Sequence, residues 1–405
     1  MNVIVGQSGG PTAVINASLA GVYKAAKQAG AKNVFGMKNG ISGVLDDNLL
    51  RLEDVLGSPE NIELLKRTPS AYLGSCRYKL KAEEVSRADY EKIFSVLAKR
   101  EIDWFFYIGG NDSMDTIAKL SAYGKKIGSP IRFVGIPKTI DNDLMVTDHT
   151  PGFGSAAKFV ATTLKEIICD STVYDMKSLT IVEIMGRNAG WLTAASALAK
   201  GDDCDGVDMI FLPETPFDLD GFVQKIAEKQ KTKGNLIIAV SESLKVADGR
   251  YVCELADSAQ EEDSFGHKRL TGTARFLADE CAKRLGVKTR AIEFSTLQRC
   301  ASHCASLTDI TEAYEAGAAA VKAAADGQSC VAIAFTRVSN SPYRCETVAV
   351  DVEKLANHEK CVPLAWIDAE NATMRTEFLD YARPLIQGEL SPIYKNGLPC
   401  HLSRK

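Results

Sequence analysis

The chain has 405 residues, 45% hydrophobic and 25% charged, a balance ordinary for a globular protein and long enough for two or three domains with large cores. Its formal net charge of -4 offers no basic field for nucleic acid. The apolar runs fall well short of the roughly 20 residues that cross a bilayer. The start, Met1-Asn2-Val3-Ile4-Val5-Gly6, enters a strand with no basic leader before it, so neither a membrane span nor a signal peptide is expected, and the expected compartment is the cytoplasm.

In chain order, Val3 to Gly6 predicts a strand and Val14 to Gln28 an Ala-rich helix. Further strands are predicted near 103–108, 131–136, 179–184, 208–212, 236–240 and 289–294, with helices at 82–99, 113–126, 154–169, 189–199, 218–230, 270–284 and 309–325. Val331 to Arg337 and Glu346 to Asp351 read as consecutive strands with a turn at Asn340-Ser341-Pro342, an antiparallel edge. The polar stretch 243–268 reads as a surface excursion, and one more helix is predicted near 374–383. The alternation predicts an α/β fold of two doubly wound, mainly parallel-sheet domains, with the active site in the cleft between them. The eleven cysteines are scattered and read as reduced thiols. Cys300, His303 and Cys304 share one face at helical spacing, which suits either soft metal ligands or, by preference, small packing residues.

Two loops at predicted strand ends carry the strongest chemical signal. Gly109-Gly110-Asn111-Asp112-Ser113 follows the run Trp104 to Ile108 and offers glycine amides at a helix start, which suits a phosphate. Pro137-Lys138-Thr139-Ile140-Asp141-Asn142-Asp143 follows Phe133 to Ile136 and combines a cation, a hydroxyl and two carboxylates. Phosphoryl transfer to a hydroxyl wants one carboxylate as base and others for Mg²⁺, and this loop supplies both. A third loop, Gly6-Gln7-Ser8-Gly9-Gly10-Pro11-Thr12, repeats the strand, Gly-Gly, helix arrangement, although its spacing fits neither a Walker A sequence nor G-x-G-x-x-G. Arg77, after Gly74-Ser75, and the arginines at later strand ends are candidate anchors for phosphate, each weighed against an ordinary solvated charge.

Taken together, Ser8-Gly9-Gly10, Gly74-Ser75-x-Arg77, Gly109-Gly110-x-x-Ser113, Thr139-Ile140-Asp141-Asn142-Asp143, Met185-Gly186-Arg187, Pro213-Glu214, Glu242, Arg290 and Gln298-Arg299 resemble the phosphofructokinase family, in the family's order. The resemblance implies phosphoryl transfer to the 1-hydroxyl of fructose 6-phosphate, a step of glycolysis, with Mg²⁺ as cofactor. It implies Asp141 as the base, with Lys138, Thr139 and Arg187 beside it in catalysis. Gly10, Arg77, Asp112, Ser113 and Lys138 would hold the donor. Thr139, Asp141, Asp143, Met185, Gly186, Arg187, Glu242, Arg290, Thr296 and Arg299 would hold the sugar phosphate. Arg290 would serve a neighbouring subunit, so a homodimer or homotetramer is expected. The implied domains are a phosphate-donor domain, 1–152 plus about 299–352, and a sugar-phosphate domain, about 153–298 plus 353–405.

The departures from the family choose the donor. Members that use ATP have glycine where this chain has Asp112 and Lys138, and the combination here resembles the pyrophosphate-dependent type. Asp112 would face the α-phosphate of ATP. Two like charges about 4 Å apart cost on the order of 4 kcal/mol at an effective dielectric of about 20, roughly a thousandfold in affinity. Lys138 would stabilise the transferring group, and Thr116 replaces a glycine that often lies against adenine. Asn111 replaces a usual metal-binding aspartate, so the expected metal ligands are Asn111, Asp112 and Asp143, with Asp141 as an alternative. Thr296 replaces a frequent histidine and Ser178 a partner-subunit arginine, which leaves sedoheptulose 7-phosphate as a further acceptor. Ala20 and Asp170 stand where effector-binding arginines are found, so nucleotide regulation of that type is not expected. Rival readings are an ATP-dependent member of the family, a non-catalytic sugar-phosphate sensor, and a dinucleotide-binding dehydrogenase, the last weakened by the missing glycine spacing.

Overall fold

The computed structural model describes residues 1–255, 270–355 and 359–404. Eleven strands build its two main sheets: β1 (Asn2–Gln7), β2 (Asn33–Met37), β3 (Leu49–Arg51), β4 (Ile102–Gly109), β5 (Arg132–Pro137), β6 (Ser178–Ile184), β7 (Met209–Phe211), β8 (Asn235–Ser241), β9 (Lys288–Glu293), β10 (Val331–Asn340) and β11 (Tyr343–Asp351). The chain divides into two units: Met1–Ser155 with Arg299–Glu359 and Ile386–Lys405, and Ala156–Gln298 with Lys360–Leu385.

The first unit contains a seven-stranded sheet in the order β11-β10-β5-β4-β1-β2-β3. Its centre is parallel, and its two edges, β2 with β3 and β10 with β11, are antiparallel. Successive side chains of a strand face opposite ways, and both sets are apolar here. Val3, Val5, Trp104, Phe106 and Ile108 enter one core, which includes residues of the helices Ile15–Gln28 and Leu307–Ala325. Ile4, Phe105 and Tyr107 enter the other, with residues of the helices Glu83–Lys99 and Asn111–Lys126. The sheet is therefore covered on both sides.

The second unit contains a parallel four-stranded sheet in the order β7-β8-β6-β9. Leu179, Ile181, Leu236, Ile238 and Val240 pack with the helices Leu219–Lys229 and Thr273–Leu285 into one core.

The expected α/β alternation and parallel sheets hold. β2, β3 and the helix Pro59–Arg67 were not expected; β2 and β3 are short, and Gly36 interrupts the first. The helix predicted at 189–199 is a single turn, Trp191–Ala194, running into a 3-10 segment, Ala195–Ala199. Of the polar stretch 243–268, residues 256–268 lie outside the described residues.

The C-terminal segment departs from expectation. Of residues 353–405, only Lys360–Leu385 stays with the second unit; Ile386–Lys405 belongs to the first. The Leu402 N–H donates to Thr68 Oγ1 at 2.8 Å, and the Tyr72 hydroxyl donates to the Ser403 carbonyl at 2.8 Å. These partners lie more than three hundred positions away in sequence, and no local pattern announces them. None of the eleven cysteines forms a disulfide. No helix among the described residues is long and apolar enough to cross a membrane.

Candidate active site

Three loops of the first unit leave the carboxyl ends of the adjacent parallel strands β1, β4 and β5, where open α/β sheets bind ligands. After β1, the buried Gln7 amide donates to Asn16 Oδ1 and its oxygen accepts from the Leu73 N–H, each at 2.9 Å. Ser75 Oγ donates to the Gly9 carbonyl at 2.7 Å. The glycine loop is thereby joined to the segment that carries the exposed Arg77. Gly9 has φ +75°, a conformation that favours glycine, and a Cβ there would lie 3.3 Å from Lys138 Nζ.

After β4, Gly110 caps the 16-residue helix Asn111–Lys126 without a side-chain bond; the Ser113 N–H donates to the Gly110 carbonyl at 3.0 Å, and the earlier Asn111 and Asp112 amides face the end of the helix that favours an anion. Ser113 is buried in that turn. Asp112 is exposed, with Oδ1 3.2 Å from Lys79 Nζ, and their side chains are 58% and 60% exposed. That exposure corrects the energy assigned to Asp112. In water two charges about 4 Å apart interact by only about 1 kcal/mol, and the Lys79 ammonium offsets part of that, so charge alone discriminates less than tenfold against an α-phosphate.

After β5, Lys138 is buried; its Nζ donates to the Gly10 carbonyl at 2.6 Å and its backbone N–H to the Gly109 carbonyl at 2.9 Å. One residue thus ties all three loops together. Burial pulls the Lys138 ammonium down to about 8, with Arg299 adding to the fall and the Asp141 and Asp143 carboxylates opposing it. Arg299 belongs to this unit, and its Nη1 would lie 3.6 Å from a Cβ at Gly10. It therefore sits beside Gly10, although the resemblance implied a sugar contact.

Asp141 and Asp143 lie in a turn, because Asn142 between them has φ 54°. The buried Asn142 Oδ1 accepts from the Thr150 N–H at 3.0 Å, the Thr150 hydroxyl donates to the Thr139 carbonyl at 2.9 Å, and the Asp141 N–H donates to Thr139 Oγ1 at 3.1 Å. Burial raises the Asp143 carboxyl above its ordinary range, against a bond from its own backbone. Asn111 Oδ1 and Asp143 Oδ1 are buried oxygens without a hydrogen-bond partner. Hard, unpartnered oxygens of this kind suit a divalent cation.

In the second unit, Met185, Gly186 and Arg187 follow β6, and Glu242 follows the neighbouring β8. The Met185 N–H donates to Gln298 Oε1 and the Gly186 N–H to Glu242 Oε1, each at 3.2 Å. Ser243 Oγ donates to the Gly186 carbonyl at 2.6 Å. A Cβ at Gly186 would come within 2.7 Å of the Ala189 carbonyl oxygen, so the turn has no room for a side chain. Glu183, on β6 three residues before Gly186, accepts from the Ala274 N–H at 2.8 Å, and burial raises it to about 7. Glu214 Oε1 accepts from Gly190 and Val362 N–H groups at 2.8 and 3.0 Å.

The phosphofructokinase family model matches residues 2–324. The chain belongs to the phosphofructokinase family. It is 42% identical to the pyrophosphate–fructose 6-phosphate 1-phosphotransferase of Methylococcus capsulatus, over 99% of this chain and 95% of the relative. It is also 42% identical to the enzyme of that name from Xanthomonas campestris, over 100% and 96%. Its structure is similar to that of the pyrophosphate-dependent phosphofructokinase of Nitrosospira multiformis, with a TM-score of 0.88 and 36% identity over 100% of this chain and 96% of that one.

Not every residue that the family resemblance named lies near these loops. Arg290 on β9 is exposed, with Nη1 3.3 Å from Asp170 Oδ2 in its own unit, and Thr296 is exposed in the following turn. Cys300 closes the short helix Leu297–Cys300, whereas His303 and Cys304 lie in a separate 3-10 turn, so the three share no helical face. Sequence reasoning passed over Lys79 and Thr150. Only the place of Lys79, two residues after Arg77, and of Thr150, beyond the two aspartates, hinted at either.

Proposed function

We infer that the chain reversibly transfers a phosphoryl group from pyrophosphate to the 1-hydroxyl of fructose 6-phosphate, giving fructose 1,6-bisphosphate and phosphate, as a step of glycolysis. The observation that carries this reading is the buried Lys138 ammonium on the Gly10 carbonyl, in the electrostatic field of Asp141 and Asp143. A fixed cation in a dry site stabilises charge on a transferring phosphoryl group and on the phosphate that leaves. It also fills space that ATP-using relatives of the family leave open with glycine. Gly10, Arg77, Ser113 and the amides after Gly110 hold the pyrophosphate. Asp141 takes the proton from the sugar hydroxyl, and Thr139 contacts the transferring group. Met185, Gly186, Arg187 and Glu242 hold the sugar phosphate, with Thr296 at the sugar, while Arg299, beside Gly10, contacts the donor.

Mg²⁺ fits the oxygens of Asn111 and Asp143, with Asp112 as a further ligand; when bound it neutralises charge on the phosphates. Arg290, exposed on β9, serves a neighbouring subunit in a homodimer or homotetramer. The deciding experiment is a steady-state assay with fructose 6-phosphate and either pyrophosphate or ATP. Pyrophosphate is expected to give a kcat/KM at least a hundredfold higher, and an ATP preference would reject the reading. Sedoheptulose 7-phosphate belongs in the same assay as a second acceptor.

A further inference from the structure

The segment Thr147–Gly152 is the seat on which the turn Thr139–Asp143 rests. Thr150 bonds to Thr139 and Asn142, the Thr139 N–H donates to the Pro151 carbonyl at 3.2 Å, and the Gly152 N–H donates to Asp309 Oδ1 at 2.9 Å. His149, the centre of this seat, is buried with 1% exposure. Its Nδ1 lies 2.9 Å from Asp148 Oδ2 and its Nε2 lies 2.6 Å from Glu312 Oε2, on the helix Leu307–Ala325. Its ring stacks on Phe335 of β10, with centroids 4.9 Å apart.

The groups around the imidazole come from four elements. Arg337 of β10 donates to Asp148 Oδ2 through Nε and Nη2, at 3.0 and 2.8 Å. From β11, the Tyr343 hydroxyl donates to Glu312 Oε1 at 2.6 Å, and the Cys345 thiol donates to the Thr336 carbonyl at 3.4 Å. Asp309, one turn before Glu312 on the same helix, is held by the amides of Gly152 and Ser155. Cys345, His149 and Glu312 have ligand atoms within 4.8 Å of one another. They do not read as a metal site, since a 2.6 Å nitrogen–oxygen contact is a hydrogen bond and an ion bound to both atoms at about 2.0 Å would hold them farther apart. Burial also pushes the Cys345 thiol up to about 12, away from the thiolate a metal needs.

An imidazole with an acceptor on each nitrogen satisfies both only when both nitrogens carry protons. Two cations, Arg337 and His149, then face two carboxylates, Asp148 and Glu312, with the charges balanced. We propose that His149, as an imidazolium clamped between Asp148 and Glu312, is a positioning residue that holds the seat of the Thr139–Asp143 turn against the helix Leu307–Ala325, and so keeps Asp141 in register for transfer. Burial disfavours the charged imidazole, but the Glu312 charge and the bonds to both carboxylates outweigh it and raise His149 to about 9. The folded-state value lies above the ordinary one. The clamp's contribution to stability is therefore full below about pH 6.5, and the clamp itself is lost as pH rises through about 9. A neutral ring loses its bond to one of the two carboxylates, which keeps only its other partner, Arg337 for Asp148 or Tyr343 for Glu312.

This inference rests on the proposed role of Asp141, so its test has one arm that needs no turnover. His149→Gln should lower kcat about ten- to a hundredfold, the size expected of a small misplacement of reacting groups, with the KM of pyrophosphate within about threefold. Glu312→Gln keeps an acceptor for the ring but removes its charge. It should move the alkaline limb of kcat that follows His149 down by about one to three pH units, while the limb that follows Lys138 stays in place. Amide hydrogen exchange at residues 139–143 in the full chain, compared at one pH, should quicken at least tenfold in either variant, and in the wild type the protection left after division by the intrinsic base-catalysed rate should fall at least tenfold above pH 9. If His149→Gln does not fold, Glu312→Gln decides alone. A folded variant with unchanged kcat and unchanged exchange at 139–143 overturns the proposal, as does a loss of thermal stability with neither change. If the wild type does not use pyrophosphate, the function fails while the exchange arm still judges the clamp.

Discussion

In the first unit a cation is buried: Lys138 has its ammonium 2.6 Å from the Gly10 carbonyl of the glycine loop. In the second, the strand-end turn Met185–Arg187 is shaped by backbone N–H groups, which donate to Gln298 and Glu242 at 3.2 Å. The first arrangement shifts proton affinities, since burial weighs directly on the charged form of Lys138. The second fixes shape, because a turn without room for a Cβ at Gly186 presents its atoms in one way only. The first set of loops is thus organised around a buried cation, and the second turn around a constrained backbone.

Four substitutions sharpen or break this contrast, from the largest expected effect to the smallest. Asp141→Asn removes the proposed base but keeps its shape, so kcat should fall about 10²–10⁴-fold with the KM of the sugar phosphate nearly unchanged. A variant that kept more than half of wild-type kcat would remove Asp141 from the chemistry. Lys138→Met keeps the volume and removes the charge; a single stabilising donor of this kind is worth about 3–4 kcal/mol at most, so kcat with pyrophosphate should drop by up to about a thousandfold. The wild type carries a matching pH signature. An anion favours protonated Lys138, whose free value is about 8, so the KM of pyrophosphate should rise by up to about tenfold per pH unit above that point. A flat profile between pH 7 and 9 would place Lys138 outside the donor site.

The third and fourth test the second unit and the surface. Gly186→Ala must displace the Ala189 carbonyl, 2.7 Å from the new Cβ. The KM of fructose 6-phosphate should rise about tenfold or more while that of pyrophosphate holds, and equal changes in both would contradict the division of labour. Asp112→Gly should improve ATP binding less than tenfold, because the carboxylate is exposed and beside Lys79. A hundredfold gain, measured by competition against pyrophosphate, would mean that the site is drier than its exposure indicates.

The alternation of strands and helices, the parallel sheets and the loops at the ends of β1, β4 and β5 were legible in the sequence, because they depend on local apolar periodicity and on glycine next to helix starts. The family was legible for the same reason: its motifs are contiguous stretches such as Thr139–Asp143. Tertiary structure alone decided the long-range pairings. Lys138 reaches Gly10 across 128 positions and His149 reaches Glu312 across 163, and no short window of sequence contains both partners. It also returned Ile386–Lys405 to the first unit, through contacts such as Leu402 with Thr68, and it exposed Asp112. A charge is named by its residue, but its strength is set by the water around it, and that depends on how distant segments pack.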